Sequence, residues 1–174
     1  GPKVGSDLRK KGLQAVLFSC LLILAYVTWR FEFKFALGGI VALVHDMIIS
    51  LAIFTLLGKT FTLPVLAAVL TIAGYSINDS IVVFDRIREN IERGTKKELP
   101  DLINLSINQT LSRTILTSLT VIVVVLALLL YGGEIIKDFS FILLIGVIVG
   151  TYSSIFIASP AVLLWQGRGI KLRK

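Results

Sequence analysis

Five apolar blocks, each near the length that crosses a bilayer, constrain this chain more than any motif in it. They run over Leu13–Trp29, Ala36–Leu57, Phe61–Phe84, Ile115–Tyr131 and Phe139–Trp165. The hydrocarbon core is about 30 Å thick and takes about 20 residues of α-helix to span. Composition agrees: 55% of the 174 residues are hydrophobic before the 14 glycines are counted, and mean hydropathy is +0.87. Soluble domains reach only about 45–50% with glycine included. The chain therefore reads as an all-α polytopic membrane protein. The opening block is longer than the apolar region of a signal peptide and has no small-residue cleavage site after it.

The net charge of +7 is placed, not diffuse. Five spans put the two ends on opposite sides. One side carries Lys3, Arg9, Lys10, Lys11, Lys59 and Lys137, and the other twelve Lys and Arg lie on the opposite side. The richer side should be cytoplasmic, which puts the carboxyl terminus inside. The cluster "LRKKG" at Leu8–Gly12 then falls outside, an awkward place unless an earlier span precedes it. No basic patch interleaved with aromatics lies outside the spans, so nucleic acid is not implied. Cys20 is the sole cysteine and excludes an internal disulfide.

The short "LGKTF" turn makes the second and third spans antiparallel neighbours. The fourth span counts from Arg113, and residues 85–112 before it are expected to form the one sizeable cytoplasmic loop. Within that stretch Pro100 and Asp101 suit the start of a new helix, and Asp101–Tyr131 reads as an amphipathic cytoplasmic turn or two running into the fourth span. Gly146, Gly150, Ser154 and Ala158 recur every four residues in the last span, the spacing of a close helix-packing face. Pro160 is expected only to kink that span.

"TIAGYSINDSIVVF" places Asn78 and Asp79 where lipid-compatible residues belong. An ionised group at the bilayer centre costs on the order of 2.5–3.5 kcal/mol on insertion scales. Arg113 enters the fourth span at comparable depth. Ser106, Thr110, Arg113, Thr117 and Thr120 follow one another at helical spacing, as do Tyr75, Asn78 and Asp79 on the third span. Two polar faces at one depth predict a hydrated seam. His45 and Asp46 lie nearer the middle of the second span; adjacent residues point about 100° apart, so the two need not act together. Burial favours a protonated carboxyl and a nearby guanidinium an ionised one. A site that alternates between the two can move a proton, so Asp79 and Arg113 are the candidate relay. No metal or cofactor site is read, and the proton is the coupling ion.

"FALGGIVALVHD", "GYSINDSIVVFDRIREN" and "SINQTLSRTILTS", with "VGSDLRKKG" before them, resemble the SecD/SecF family of protein-export membrane proteins, on its SecF side, within the resistance-nodulation-division transporters. The resemblance covers essentially the whole chain. It implies five helices of a six-helix half, whose first helix and external domain precede this segment. It further implies a SecD partner, work beside the SecYEG channel on preproteins in the bacterial inner membrane, and use of the proton-motive force. In the family the aspartate of "GYSIND" and the arginine of "SINQTLSRT", here Asp79 and Arg113, belong to a proton pathway completed by an aspartate of SecD. Three rivals stand beside this reading. They are a scaffold subunit whose seam only joins helices, an intramembrane aspartyl protease using Asp46 and Asp79, and a small-solute exporter.

Overall fold

The structure is a computed structural model that describes residues 2–94 and 98–166. It consists of long helices joined by tight turns: α1 Pro2–Arg30, α2 Phe33–Leu56, α3 Leu63–Glu92, α4 Leu99–Tyr131, α5 Gly133–Ser153 and α6 Ser159–Gln166. A π-helical turn, Ser154–Ala158, joins the last two. Five helical segments are long and apolar enough to cross a membrane, the fifth running from Gly133 through the π turn to Leu164. The basic residues at 96–97 and 168–174, used above to orient the chain, lie outside the described residues.

The turns follow from local chemistry. Gly58 (φ 70°) closes α2 and Gly133 (φ 75°) opens α5, both in the left-handed region that glycine adopts without a Cβ penalty. Pro64 and Pro100 sit in the first turns of α3 and α4, where a missing N–H costs nothing. Asp101 adds a favourable negative charge at the α4 amino end.

Most of the expected loop over 85–112 is helix, and the helix expected from Asp101 begins two residues earlier. Helix α3 continues to Glu92 and α4 begins at Leu99. A helix of 30 residues is about 45 Å long, well beyond the hydrocarbon core, so these ends project past it as a helical hairpin. Its strands of charge are internally paired. Arg88 Nε lies 2.8 Å from Glu92, Arg86 pairs with Glu89, and Arg86 Nε donates to Gln109 Oε1 of α4 at 2.7 Å. Asn90 Nδ2 reaches Ser106 Oγ at 2.8 Å. Alternating charge signs, which in sequence suggest a solvated loop, are here the i,i+3 and i,i+4 pairs of an exposed helix end.

Helices α3 and α5 form the centre, with α2 against both. The most apolar stretch of α3 is 50% buried, against 11% for α1 and 17% for α4, which therefore lie at the edge. The stripe of small residues on α5 faces the centre. A Cβ on Gly146 would run into the Ile72 side chain, and one on Gly150 would sit 3.4 Å from Ser76 Cβ and 3.5 Å from Asp46 Oδ2. Ala158 brings its carbonyl to within 3.0 Å of where a Cβ of Gly38 would lie. Pro160 does more than kink the helix. Its ring clashes with the carbonyl four residues back, and the chain widens into the π turn over that stretch. Ser159 Oγ donates to Ser154 O at 3.2 Å within it.

At the end opposite the hairpin, Lys59 Nζ meets Asp138 Oδ1 at 2.5 Å and lies over the rings of Phe54 and Phe141. This clasp ties the α2–α3 turn to α5.

Candidate functional site

Three hydrogen bonds set the antiparallel register of α3 and α4: Tyr75 with Ser118, Arg86 with Gln109, and Asn90 with Ser106. Interpolation between them places Asp79 opposite Thr114, next to Arg113. Asp79 is 2% exposed, and its Oδ2 has no hydrogen-bond partner. Thr114 Oγ1 and Ser80 Oγ at the same level are also buried and unpartnered. Arg113 is an electrostatic neighbour of Asp79, but no ion pair joins them among the described residues. Its exposed side chain lines a polar cleft of about 610 Å³, together with Tyr26, Arg30, Asn78, Arg86 and Gln109. The cleft opens between α1, α3 and α4. The Arg30–Asp85 pair, 3.6 Å apart, forms part of its lining.

The predicted seam therefore divides. Asn78 and Asp79 are not on one surface: Asn78 is exposed to the cleft, whereas Asp79 points inward. On α4 the buried polar line is Ser106, Thr110, Thr114 and Ser118, spaced by four. Thr120 is exposed and Thr117 half-buried. Both turn their hydroxyls back to their own helix, Thr117 to Arg113 O and Thr120 to Thr117 O, each at 2.8 Å. A hydroxyl satisfied in this way needs no protein neighbour in lipid. The spacing of three that links Thr110 to Arg113 and Thr117 to Thr120 had made them look like part of the seam.

A second carboxylate node lies three residues away along α3, about 4.5 Å of helix rise. Asp46 is fully buried and its Oδ2 accepts from Ser76 Oγ of α3 at 2.5 Å and from Ser153 Oγ of α5 at 2.6 Å. His45 and Asp46, whose spacing left a joint role open, are in contact: His45 Nδ1 lies 3.0 Å from Asp46 Oδ1. Sequence reasoning missed Thr114, Ser118, Thr151 and Ser153. The first two were legible as a strict four-residue repeat from Ser106; the α5 pair carries no signal of its own, because Ser and Thr are ordinary packing residues in membrane helices.

The tertiary hydroxyls form one further link. Tyr75 Oη donates to Ser118 Oγ at 2.8 Å, and Ser118 Oγ lies 2.7 Å from Thr151 Oγ1. Tyr75 is half-buried beside Asp79. The arrangement is that of a buried acid walled by hydroxyls, with a cation and a polar cleft on one flank.

Residues 1–168 match the family model "Protein export membrane protein SecD/SecF, C-terminal". The chain belongs to the SecD/SecF family. It is 55% identical to the protein translocase subunit SecF of Desulfurispirillum indicum, over 98% of this chain and 55% of that protein. The SecF subunit of Rickettsia rickettsii is 51% identical over 97% of the chain and 54% of its own length. The chain thus spans about half the length of the SecF relatives it matches. The crystal structure of SecDF from Thermus thermophilus, described as a translocon-associated membrane protein, superposes with a TM-score of 0.91 at 49% identity. That match covers 97% of this chain and 23% of the SecDF chain. A SecDF structure in a super-membrane-facing form gives a TM-score of 0.86 at 49% identity, over 93% and 22%. Among the described residues this segment is a five-helix membrane-spanning part of a SecD/SecF-family protein, similar to SecF subunits over about half of their length.

Proposed function

We propose that the chain is the proton-carrying membrane half of a SecF subunit. With SecD it promotes preprotein translocation through SecYEG at the expense of the proton-motive force. The membrane is the bacterial inner membrane, and the carboxyl terminus is cytoplasmic. The observation that carries the reading is Asp79, a buried carboxyl with an unpartnered oxygen, next to a guanidinium that no ion pair holds. A purely structural carboxylate in this setting would be expected to look like Asp46, with its oxygens engaged.

The mechanism uses the chain's own groups. The polar cleft admits water to Arg113 from the hairpin end of the bundle. Asp79 takes a proton from one side and releases it on the other as its neighbour alternates between Arg113 and a less polar surface. Moving one charge through the field carries about 2.3 kcal/mol per 100 mV, enough to bias a two-state change between helix arrangements. The SecD carboxylate that the family resemblance implies would approach the exposed edge formed by α3 and α4. The strongly exposed apolar residues of α1, such as Leu13, Phe18 and Leu21, suit lipid.

Two rivals are less well supported. An aspartyl protease needs two carboxyls that share a proton, whereas the Asp46 oxygens are engaged by hydroxyls and imidazole. A scaffold would have no use for an unpartnered buried acid. The test is proton-driven translocation in vesicles holding the full subunit, SecD and SecYEG. Asp79→Asn should assemble normally and lose the stimulation by the proton-motive force. Retained stimulation in that variant would refute the proposal.

A further inference from the structure

One hydrogen-bond chain inside the bundle has a direction that proton counting fixes. Thr151 Oγ1 donates to Val147 O at 2.7 Å. A hydroxyl has a single proton, so at its contact with Ser118 Thr151 can only accept. Ser118 thereby spends its own proton and must accept from Tyr75 Oη. Every proton in the chain points from α3 through α4 to α5. Tyr75 is left with lone pairs and nothing to donate.

The two forms of a buried carboxyl ask for opposite partners. A carboxylate only accepts hydrogen bonds, while a protonated carboxyl brings a donor that must be satisfied. Arg113 offers only donors, so it suits the ionised form. Tyr75 lies one turn before Asp79 on α3 and within its electrostatic reach. Helix side chains lean towards the amino end, which tilts the Asp79 carboxyl over the Tyr75 turn. The other groups at this level are accounted for. From α2, Asp46 has its oxygens engaged. From α4 Thr114 and from α3 itself Ser80 have free hydroxyls of either polarity. From α1, Tyr26 and Arg30 line the cleft with Arg113, and Arg30 pairs with Asp85. Helix α5 and the π turn carry no charged residue between Asp138 and Ala158.

We infer that Tyr75 is the hydrogen-bond acceptor for the protonated form of Asp79, directly or through one water, and that Ser118 and Thr151 are positioning residues that keep it an acceptor. The inference rests on the proton-carrier reading above and specifies how the neutral state is held. Arg113 and Tyr75 then form a selector, one for each protonation state, on two sides of one carboxyl. A plain helix-to-helix tie is the alternative use of the same chain.

The experiment is an infrared titration of the Asp79 carboxyl band in membranes holding the full subunit with SecD, the band being assigned by Asp79→Asn. Tyr75→Phe keeps the ring and deletes the acceptor, so the midpoint should move to lower pH by about half to one unit. Ser118→Ala frees the Tyr75 proton to donate to the carboxylate, and should move the midpoint the same way. That second variant leaves the Tyr75 side chain intact, so it keeps the inference testable if the first fails to fold. No shift in either variant means a tie between helices and overturns the inference. An upward shift in Tyr75→Phe means that Tyr75 donates to the carboxylate, and overturns it as well. A titrating band in the parent protein is required by both readings. If that band is absent from about pH 4 to 9, the proton-carrier reading fails and this inference falls with it.

Discussion

Asp46 and Asp79 are buried carboxyls on neighbouring helices, close in height, yet they are built in opposite ways. Asp46 receives hydroxyl protons from two other helices and has an imidazole beside its second oxygen. Asp79 has an oxygen with no partner and faces a guanidinium that does not close on it. A buried polar group left unpaired costs about 1–3 kcal/mol. The bundle avoids that cost at one carboxyl and bears it at the other. On the proposed reading, what would distinguish a carrier from a clip is not burial or depth but whether the acceptor sites are already taken.

The comparison breaks most visibly in function. Asp79→Asn is expected to reduce proton-driven translocation by two orders of magnitude or more while leaving the thermal unfolding of the purified complex nearly unchanged. Translocation in vesicles with and without an imposed gradient measures the first, and a melting curve the second. An Asp79→Asn protein that unfolds early would place Asp79 with Asp46, as a structural group.

Asp46→Ala should show the reverse pattern. It strips the acceptor from Ser76 and Ser153 at once and isolates His45, so α2, α3 and α5 lose a common tie. The expected loss is about 2–3 kcal/mol, several times the average of roughly 0.6 kcal/mol for one interhelical hydrogen bond in a membrane protein. Equilibrium unfolding in detergent reads it. A variant as stable as the parent would show that the node is not a clip.

A third change sharpens the packing side of the same contrast. Gly146 lets α5 close on α3, and any side chain there meets Ile72. Gly146→Val should cost about 1–3 kcal/mol through overpacking. Since the Ser76–Asp46 hydrogen bond lies one turn further along the same interface, faster hydrogen exchange at Ser76 should accompany the loss. Unchanged exchange there would separate the packing stripe from the node.

How far these features could be read beforehand depends on the physics each one expresses. The spans were legible because lipid imposes a length and a composition that nothing else in the sequence imitates. Asp79 and Arg113 stood out for the same reason, as charges in apolar surroundings. The α4 arm of the hairpin was legible from Pro100 and Asp101, but the extension of α3 to Glu92 was not, because its charges, alternating in sign, look the same in a solvated loop and in a helix end beyond the membrane. The π turn needs Pro160 and the packing of Ala158 on Gly38 together, and only the proline is visible in one dimension. The contact of His45 with Asp46 depends on side-chain rotamers, which spacing does not encode. The polar face of α4 was half right, and the half that failed is instructive.

That half gives the smallest effect and the finest comparison. Thr117 and Ser118 are adjacent on α4, and both carry hydroxyls in the membrane. Thr117 Oγ1 bonds the carbonyl of its own helix, while Ser118 joins three helices. Thr117→Val replaces the hydroxyl with a methyl at constant shape and frees only a carbonyl that already has its helical partner. It should change stability by no more than about 0.5 kcal/mol. Ser118→Ala removes the Tyr75 hydroxyl's partner on α4 and leaves Thr151 without a donor, so it should cost about 0.6–1.7 kcal/mol. Unfolding of the two variants side by side checks the difference. Equal losses would mean that Thr117 meets a partner on another chain, as the cleft-facing edge of α4 would if a SecD helix seats there. Then the exposed hydroxyls of α4 would mark an interface, and the distinction between buried and back-bonded hydroxyls would hold only for the isolated half.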